Sequence, residues 1–510
     1  MFNRYLPALI ILSSQSFALN DSTFSLEIKD MIKNSHRLKS SYYGYLQSVE
    51  NQKLTHAYSY PSFYLTFSPY VYYWERDSTD EGSSGGIVGD LSKATKVSHR
   101  LLRNVSHKLR ALQSGSATTQ YDYTSKYDYT YSEYDAGISY TFVDFGNQKA
   151  TDAMAKIDTN NSLNNFEGQK QNHILNGINI YTQIVTSRNI ILYAKKIKKQ
   201  IQDDLALNFT GDNINITDKE KAKSTLSNID ALIVNEQKAL SKAINQYESL
   251  FGHKPINIPE YKLLSIPKSK IPKSKKVFID SVEKNNLNLI SAKNSILSNK
   301  QNYKKTQASH YPTITGSIDS SLSYDASGND TKSDDYSVTL SANYSTTFFT
   351  HGHEDKIAKL SIMRSQENFL DLKRQILKEA DQAWIAFELN KEQLEYQLNG
   401  IHESETFIRK ATKEYNDGSR SLLDVLDAKV QILKEGVTLF NSYNAFTIQA
   451  FQMLQMENNL NSDDAQTGKI DVKLILDQIF LEELTIRKRT VEQKEDPAKV
   501  IQQIDEFIQI

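Results

Sequence analysis

Asp424 and Asp427 stand three residues apart, which sets both carboxylates on one face of a helix, and Ser421 marks where that helix would start. Acids in a first turn complement the positive end of the helix dipole, and Ser421 with Asp424 approximates a capping box, as Thr217 with Glu220 does earlier in the chain. If copies of the chain met at this point, the same acids would form a ring of like charges that raise one another's pKa and attract cations. Arg420 offers a fork of donors suited to a carboxylate, and Asp218 and Tyr415 are the groups to consider with it. His351-Gly352-His353-Glu354 gathers two imidazoles and a carboxylate, but it falls at a strand-to-helix turn with no second cluster to complete a ligand set, so no metal is expected.

Other chemistries are narrowed by what the sequence lacks. There is no nucleophile elbow, phosphate loop or HExxH pattern, and no cysteine for a disulfide, a thiolate ligand or a nucleophile. Lys plus Arg is 60 against Asp plus Glu 61, without the basic excess that nucleic-acid binding requires. The expectation is a protein that is not an enzyme, takes no cofactor and binds no nucleic acid.

The elements that would position these residues are long, since only 19 Gly and 9 Pro punctuate 510 residues. Residues 1–18 read as an export signal: Arg4 is the positive end, Tyr5 to Leu12 the apolar core and Ser16-Phe17-Ala18 the cleavage site. Mean hydropathy is -0.53 and no later stretch approaches the ~20 apolar residues of a spanning helix. An exported chain of this kind can enter a membrane only as a β-barrel.

The chain is duplicated. Tyr60-Pro61-Ser62 recurs as Tyr311-Pro312-Thr313 at an offset of 251, and further on Gly146, Phe209 and Asp218 land on Gly352, Tyr415 and Asp424 at an offset of 206. The difference, 251 − 206 = 45, is extra length in the first copy. Each copy passes from period two to a helical period. Ile314, Gly316, Ile318, Ser320, Leu322 and Tyr324 alternate with hydroxyl-rich positions, and Tyr336, Val338, Leu340, Ala342 and Tyr344 form the partner strand across a turn at 326–334. Phe63, Leu65 and Phe67 pair in the same way with Tyr134, Ala136, Ile138, Tyr140 and Phe142. A soluble sandwich would also alternate, but the polar face is almost wholly hydroxyl and amide, aromatic residues cluster near strand ends, and an export signal precedes them.

After each hairpin comes a coiled-coil seam, with Leu377, Ala380, Trp384, Phe387, Leu394, Leu398, Ile401 and Ile408 in a 4/3 alternation broken by one polar interruption. Ile174, Ile178, Tyr181, Val185, Leu192, Ile197, Ile201 and Leu205 make a less regular version in the first copy. The helices turn back at Thr210-Gly211-Asp212 and at Asn416-Asp417-Gly418. The organisation expected is a signal at 1–18, then a first repeat at 19–252 with a β-hairpin at 60–142, a loop inserted at 77–131 and a helical hairpin at 146–252. A linker at 253–276 leads to a second repeat at 277–458, with its β-hairpin at 311–349 and helical hairpin at 352–458, and a tail at 459–510 holding an amphipathic helix near 470–487.

Four strands cannot close a barrel, because about eight are needed before side chains even fill the interior. Two chains would give a plugged lumen; three would give an aqueous channel. The stretch Tyr415-Asn416-Asp417-Gly418-Ser419-Arg420-Ser421-Leu422-Leu423-Asp424-Val425-Leu426-Asp427 resembles the periplasmic tip turn of the TolC family of outer-membrane factors, and Phe142-Val143-Asp144-Phe145-Gly146 is similar to that family's strand-to-helix junction. The resemblance runs over nearly the whole mature chain. It implies a mainly α fold with a small β part: a homotrimer forming a twelve-stranded β-barrel in outer-membrane lipid and a long α-helical coiled-coil tunnel in the periplasm.

It also implies an exit duct for efflux or type I secretion, opened at its tip by a periplasmic adaptor and an inner-membrane pump of the ABC or RND type. Asp424 and Asp427 would then ring the periplasmic aperture, Tyr415, Arg420 and Asp218 would latch it, and Gly418 and Gly211 would make the tip turns. The first-copy turn departs from the family's glycine spacing. The inserted loop, with its Tyr121-Asp122-Tyr123 and Tyr127-Asp128-Tyr129 repeats, supports an alternative: a surface-adhesive or structural outer-membrane protein acting through that loop.

Overall fold

The computed structural model describes residues 23–76, 125–208, 216–256, 258, 262–325, 332–344 and 349–467. The export signal, the loop residues 77–124, the turn holding Gly211 and the tail helix near 470–487 lie outside the described residues.

The order of elements displays the duplication. Helices α1 (Thr23–Asn34) and α2 (His36–Ala57), strands β1 (Ser62–Arg76) and β2 (Ser125–Val143), and helices α3 (Asn147–Asn208) and α4 (Ile216–Phe251) are followed by the same series. That second series is α5 (Lys275–Asn285), α6 (Leu287–Ala308), β3 (Thr313–Asp325), β4 (Lys332–Asn343), α7 (His351–Asn416) and α8 (Leu422–Met456).

The offset of 251 holds at the level of single hydrogen bonds. Ser35 Oγ accepts from Leu38 N–H at 3.3 Å, and Asn286 Oδ1, 251 residues on, accepts from Leu289 N–H at 3.4 Å. Each polar residue breaks a helix and caps the next. The exits agree as well, since Tyr60 N–H donates to the Ala57 carbonyl and Tyr311 N–H to that of Ala308, both at 3.1 Å.

Contacts divide the chain into a strand unit, residues 56–148 and 308–348, and a helical unit. The strand unit is one antiparallel sheet in the order β1-β2-β3-β4, with β1 and β4 at its edges. The register lines up Phe63, Ile138, Ile318 and Val338 across all four strands on one face, and Ser62, Ser139, Ser317 and Thr339 on the other. Phe63 is 71% and Val338 82% exposed, so the apolar face is uncovered in the single chain. On the polar face Tyr64 OH bonds the Asp319 carboxylate across Gly137, where a Cβ would meet both side chains below 3.0 Å. The first hairpin runs further than the alternation of Tyr134 to Phe142 indicates: β2 begins at Ser125, so residues 125–131 of the expected insertion are strand, paired with 70–76.

At the junction into α3 the Asp144 carboxylate accepts from Gly146 N–H at 2.9 Å, and Gly146 takes φ 91°, a conformation that favours glycine. Gly352 sits inside α7 without a positive φ, so the two junctions differ.

In the helical unit α7 has 66 residues, ~99 Å at ~1.5 Å per residue, and folds back on α8. Its buried seam runs Ile376, Ala380, Trp384, Phe387, Leu394, Ile401 and Ile408, so Ile376 takes the place expected of Leu377. In α3 the seam keeps a spacing of four through Tyr181, Val185, Asn189, Tyr193, Ile197, Ile201 and Leu205, which leaves Leu192 outside at 49% exposure. Tyr193 occupies that level because Gly436 of α8 admits its ring, and its hydroxyl donates to the Ile432 carbonyl at 3.0 Å.

Candidate functional site

The turn between α7 and α8 carries most of the residues singled out from the sequence. Gly418 has φ 75°, and its N–H donates to the Tyr415 carbonyl at 3.0 Å while Ser419 N–H reaches the Glu414 carbonyl at 2.9 Å, closing the end of α7. Two residues later Ser421 caps α8, its Oγ accepting from Asp424 N–H at 3.2 Å. A chain reversal this tight presents Tyr415, Arg420, Asp424 and Asp427 at one end of the hairpin.

Their partners are specific. Arg420 Nε meets Glu414 Oε2 at 2.9 Å, and its guanidinium lies 5.1 Å from the centre of the Phe407 ring, so both polar and aromatic contacts fix it to α7. Asp427 meets Lys221 Nζ of α4 at 2.7 Å, joining the two helical hairpins of the chain. Burial, with the Asp204 carboxylate nearby, raises the phenol of Tyr415 above its ordinary value. The side chain of Asp218 and the whole of Gly211 lie outside the described residues, and the contacts of Arg420 are with Glu414 and Phe407.

Two groups behind the tip, one buried and one partly buried, do not stand out in the sequence. Lys429, only 2% exposed, pairs its ammonium with Asp204 of α3, tying α8 to the first hairpin. Glu405 lies in the α7 seam between Ile401 and Ile408, where desolvation pushes its carboxyl up to about 7 against the opposing pull of Arg409. His402 Nδ1 stands 3.9 Å from it. The offset of 206 was the available signal for the Lys221–Asp427 pair, because it superposes one residue on the other.

Among the described residues no group of three or more His, Cys, Asp or Glu is arranged to hold a metal ion, and His351 and His353 lie in the first turn of α7. No described helix is long and apolar enough to cross a membrane. The tip carries charge and contacts between helices.

Comparison with known proteins bears on the fold rather than on the tip residues. Residues 278–456 match the family described as Outer membrane efflux protein. Outer membrane protein TolC of Salmonella enteritidis is 21% identical over 315 residues, 59% of this chain and 63% of that protein, so the chain spans less than two thirds of the relative's length. Among solved structures, the Campylobacter jejuni CmeC outer membrane channel superposes with a TM-score of 0.66 at 12% identity, over 92% of this chain and 94% of the other. The outer membrane protein VceC of Vibrio cholerae does so with 0.64 at 14% identity, over 85% and 96%. At these identities the structures establish the fold, and they do so over nearly the whole length.

Proposed function

We propose that this chain, a TolC-family outer-membrane factor by its match over 278–456 and by its fold, works as a passive exit duct in the outer membrane. The observation that carries the reading is the four-stranded sheet, open at β1 and β4, with one face apolar and uncovered and the other built of hydroxyls and carboxylates. In lipid every open edge would leave backbone groups unpaired at several kcal/mol each. Three chains of four strands close the edges as a twelve-stranded barrel, wide enough for water, with the apolar rows against lipid. β3 and β4, of 13 and 12 residues, suffice to span such a membrane, which needs about 9–11 tilted residues.

The helical hairpins then form the periplasmic tunnel, and their tips its gate. Asp424 and Asp427 ring the aperture, Arg420 and Tyr415 hold the turn, and Lys221 joins neighbouring hairpins. A periplasmic adaptor and an inner-membrane pump open the tip and supply the energy for efflux or type I secretion. The cargo is chosen by the pump, because the duct offers charge and width rather than a shaped pocket.

Purified mature protein tests the reading. It is expected to need detergent, to run as a trimer and to conduct ions across a planar bilayer. A monodisperse monomer stable in plain buffer would end it.

A further inference from the structure

Helices α2 and α3 are tied to each other at two levels by polar side chains. At one level Ser35 Oγ and His173 Nε2 stand 2.9 Å apart. At the other Ser48 Oγ meets Ser162 Oγ at 2.7 Å, and Thr159 Oγ1 donates to the Ser48 carbonyl at 3.0 Å. Between these ties lies an open cleft of about 420 Å3, a size that suits a small molecule. Arg37, Ser40, Ser41 and Tyr45 line it from one face of α2, and Asn165 and Gln169 from α3. No carboxylate of the described residues lines it. A Cβ added at Gly44, also on its wall, would meet open space.

Two of the lining groups lack protein partners. Ser41 Oγ is buried and meets no hydrogen-bond partner among the described residues, whereas buried polar atoms are nearly always satisfied. Arg37 forms no ion pair among the described residues, and its charge reaches across the helix interface: burial, and then Arg37, hold the His173 imidazole below its ordinary value. The second copy shows that the helix pair does not need this set. At the offset of 251, Arg37, Ser41 and Tyr45 become Asn288, Ala292 and Ile296, and at the offset of 206 Asn165 becomes Asp371, an acid that would repel an anion. One guanidinium matches one carboxylate, and hydroxyl and carboxamide side chains, which both donate and accept, match hydroxyls. The space is larger than a bare ion needs. We infer that the cleft between α2 and α3 binds a small hydroxylated monoanion of the sugar-acid class, its carboxylate on Arg37 and its hydroxyls on Ser41, Asn165 and Gln169. The site stands whether or not the chain is a duct.

Equilibrium dialysis of labelled glucuronate against the full-length protein in detergent is expected to show one saturable site per chain. Glucose, which lacks the carboxylate, and inorganic phosphate, which lacks the ring, should each bind roughly tenfold more weakly or worse, about the worth of charge-assisted hydrogen bonds. A variant with Arg37→Asn, Ser41→Ala and Asn165→Asp carries the residues that the second copy holds at the same places. It should keep its circular dichroism and elution volume while its affinity for glucuronate falls roughly tenfold or more. Gly44→Leu tests the space alone, because leucine is a better helix former than glycine, its side chain would enter the cleft, and Arg37 is untouched. Binding should be lost from this folded protein as well. Trigalacturonate distinguishes the source of the ligand: binding tighter than that of the monomer assigns the cleft to one unit of an acidic glycan, and equal or weaker binding assigns it to the free acid. Absence of saturable glucuronate binding, equal binding of glucose or phosphate, or undiminished affinity in either folded variant overturns the inference.

Discussion

Lys221 and Asp427 meet at 2.7 Å, and they occupy the same position in the two halves of the chain, since 427 − 221 = 206, the offset that carries Gly146 onto Gly352. Duplication alone would place like residues at equivalent sites on the two helices that return from the tips. Opposite charges stand there instead, so the two hairpins attract at their ends. Both side chains are about half exposed, which limits the pair to ~0–1 kcal/mol of stability.

The first prediction uses that asymmetry. Lys221→Asp should leave the melting temperature of the assembled protein nearly unchanged yet raise single-channel conductance, because two carboxylates now repel across the tip. Adding Asp427→Lys should return conductance to the parent level. If conductance ignores both changes, the pair has no part in holding the tip.

Much of the fold was legible because it rests on period. The register that sets Ile318 beside Val338 follows from alternation, and the seam of α7 follows from a 4/3 count. Leu192 could not be placed this way: whether it or Tyr193 turns inward depends on Gly436, a residue far along the chain that admits the larger ring. The candidate site was legible only in its local parts. Ser421 capping and the Gly418 turn are contacts within a few residues, whereas Lys429 with Asp204, and Lys221 with Asp427, join helices that no local pattern relates.

Glu405 gives a pH dependence. Its folded-state value of about 7 lies above the ordinary 4.5, so the fold favours the protonated carboxyl. The stability this contributes is fully present below about 4.5 and is lost as pH rises through about 7. Glu405→Gln should therefore stabilise the protein at pH 8 by roughly 2 kcal/mol, after discounting for partial exposure, and change little at pH 4.5. Thermal melts at the two pH values check it, and equal shifts at both would refute the assignment.

Val338 and Thr339 are neighbours on opposite faces of the edge strand, and in the proposed barrel they distinguish the lipid side from the lumen side. Val338→Lys should cost ~2–4 kcal/mol if its face meets the bilayer midplane, whereas Thr339→Lys should be tolerated on a wet face. The yield of heat-resistant trimer in the outer-membrane fraction reads this directly. Equal losses from the two substitutions would mean that the sheet is not a membrane barrel.

The acids at the tip can be separated from the contacts that hold it. Asp424 lies in the first turn of α8, where Ser421 already caps the backbone, so Asp424→Ala gives up only ~0.3–1 kcal/mol of dipole energy. Asp427→Ala also frees Lys221, placing a cation where a neutral pair stood. The double variant should therefore fold as a trimer and lose most of its block by multivalent cations, for a ring of six carboxylates would be replaced by lysines. Lys221→Met added to it separates the two causes: block should stay weak if the missing carboxylates matter and return if the freed ammonium alone repelled the blocker. Arg420→Ser should act differently, since it removes the bond to Glu414 and the stack on Phe407 while leaving the acids in place. It is expected to raise conductance and keep the cation block. Should the double alanine variant be blocked as strongly as the parent, Asp424 and Asp427 would be no more than helix-end residues, and the aperture would have to be sought elsewhere on the hairpins.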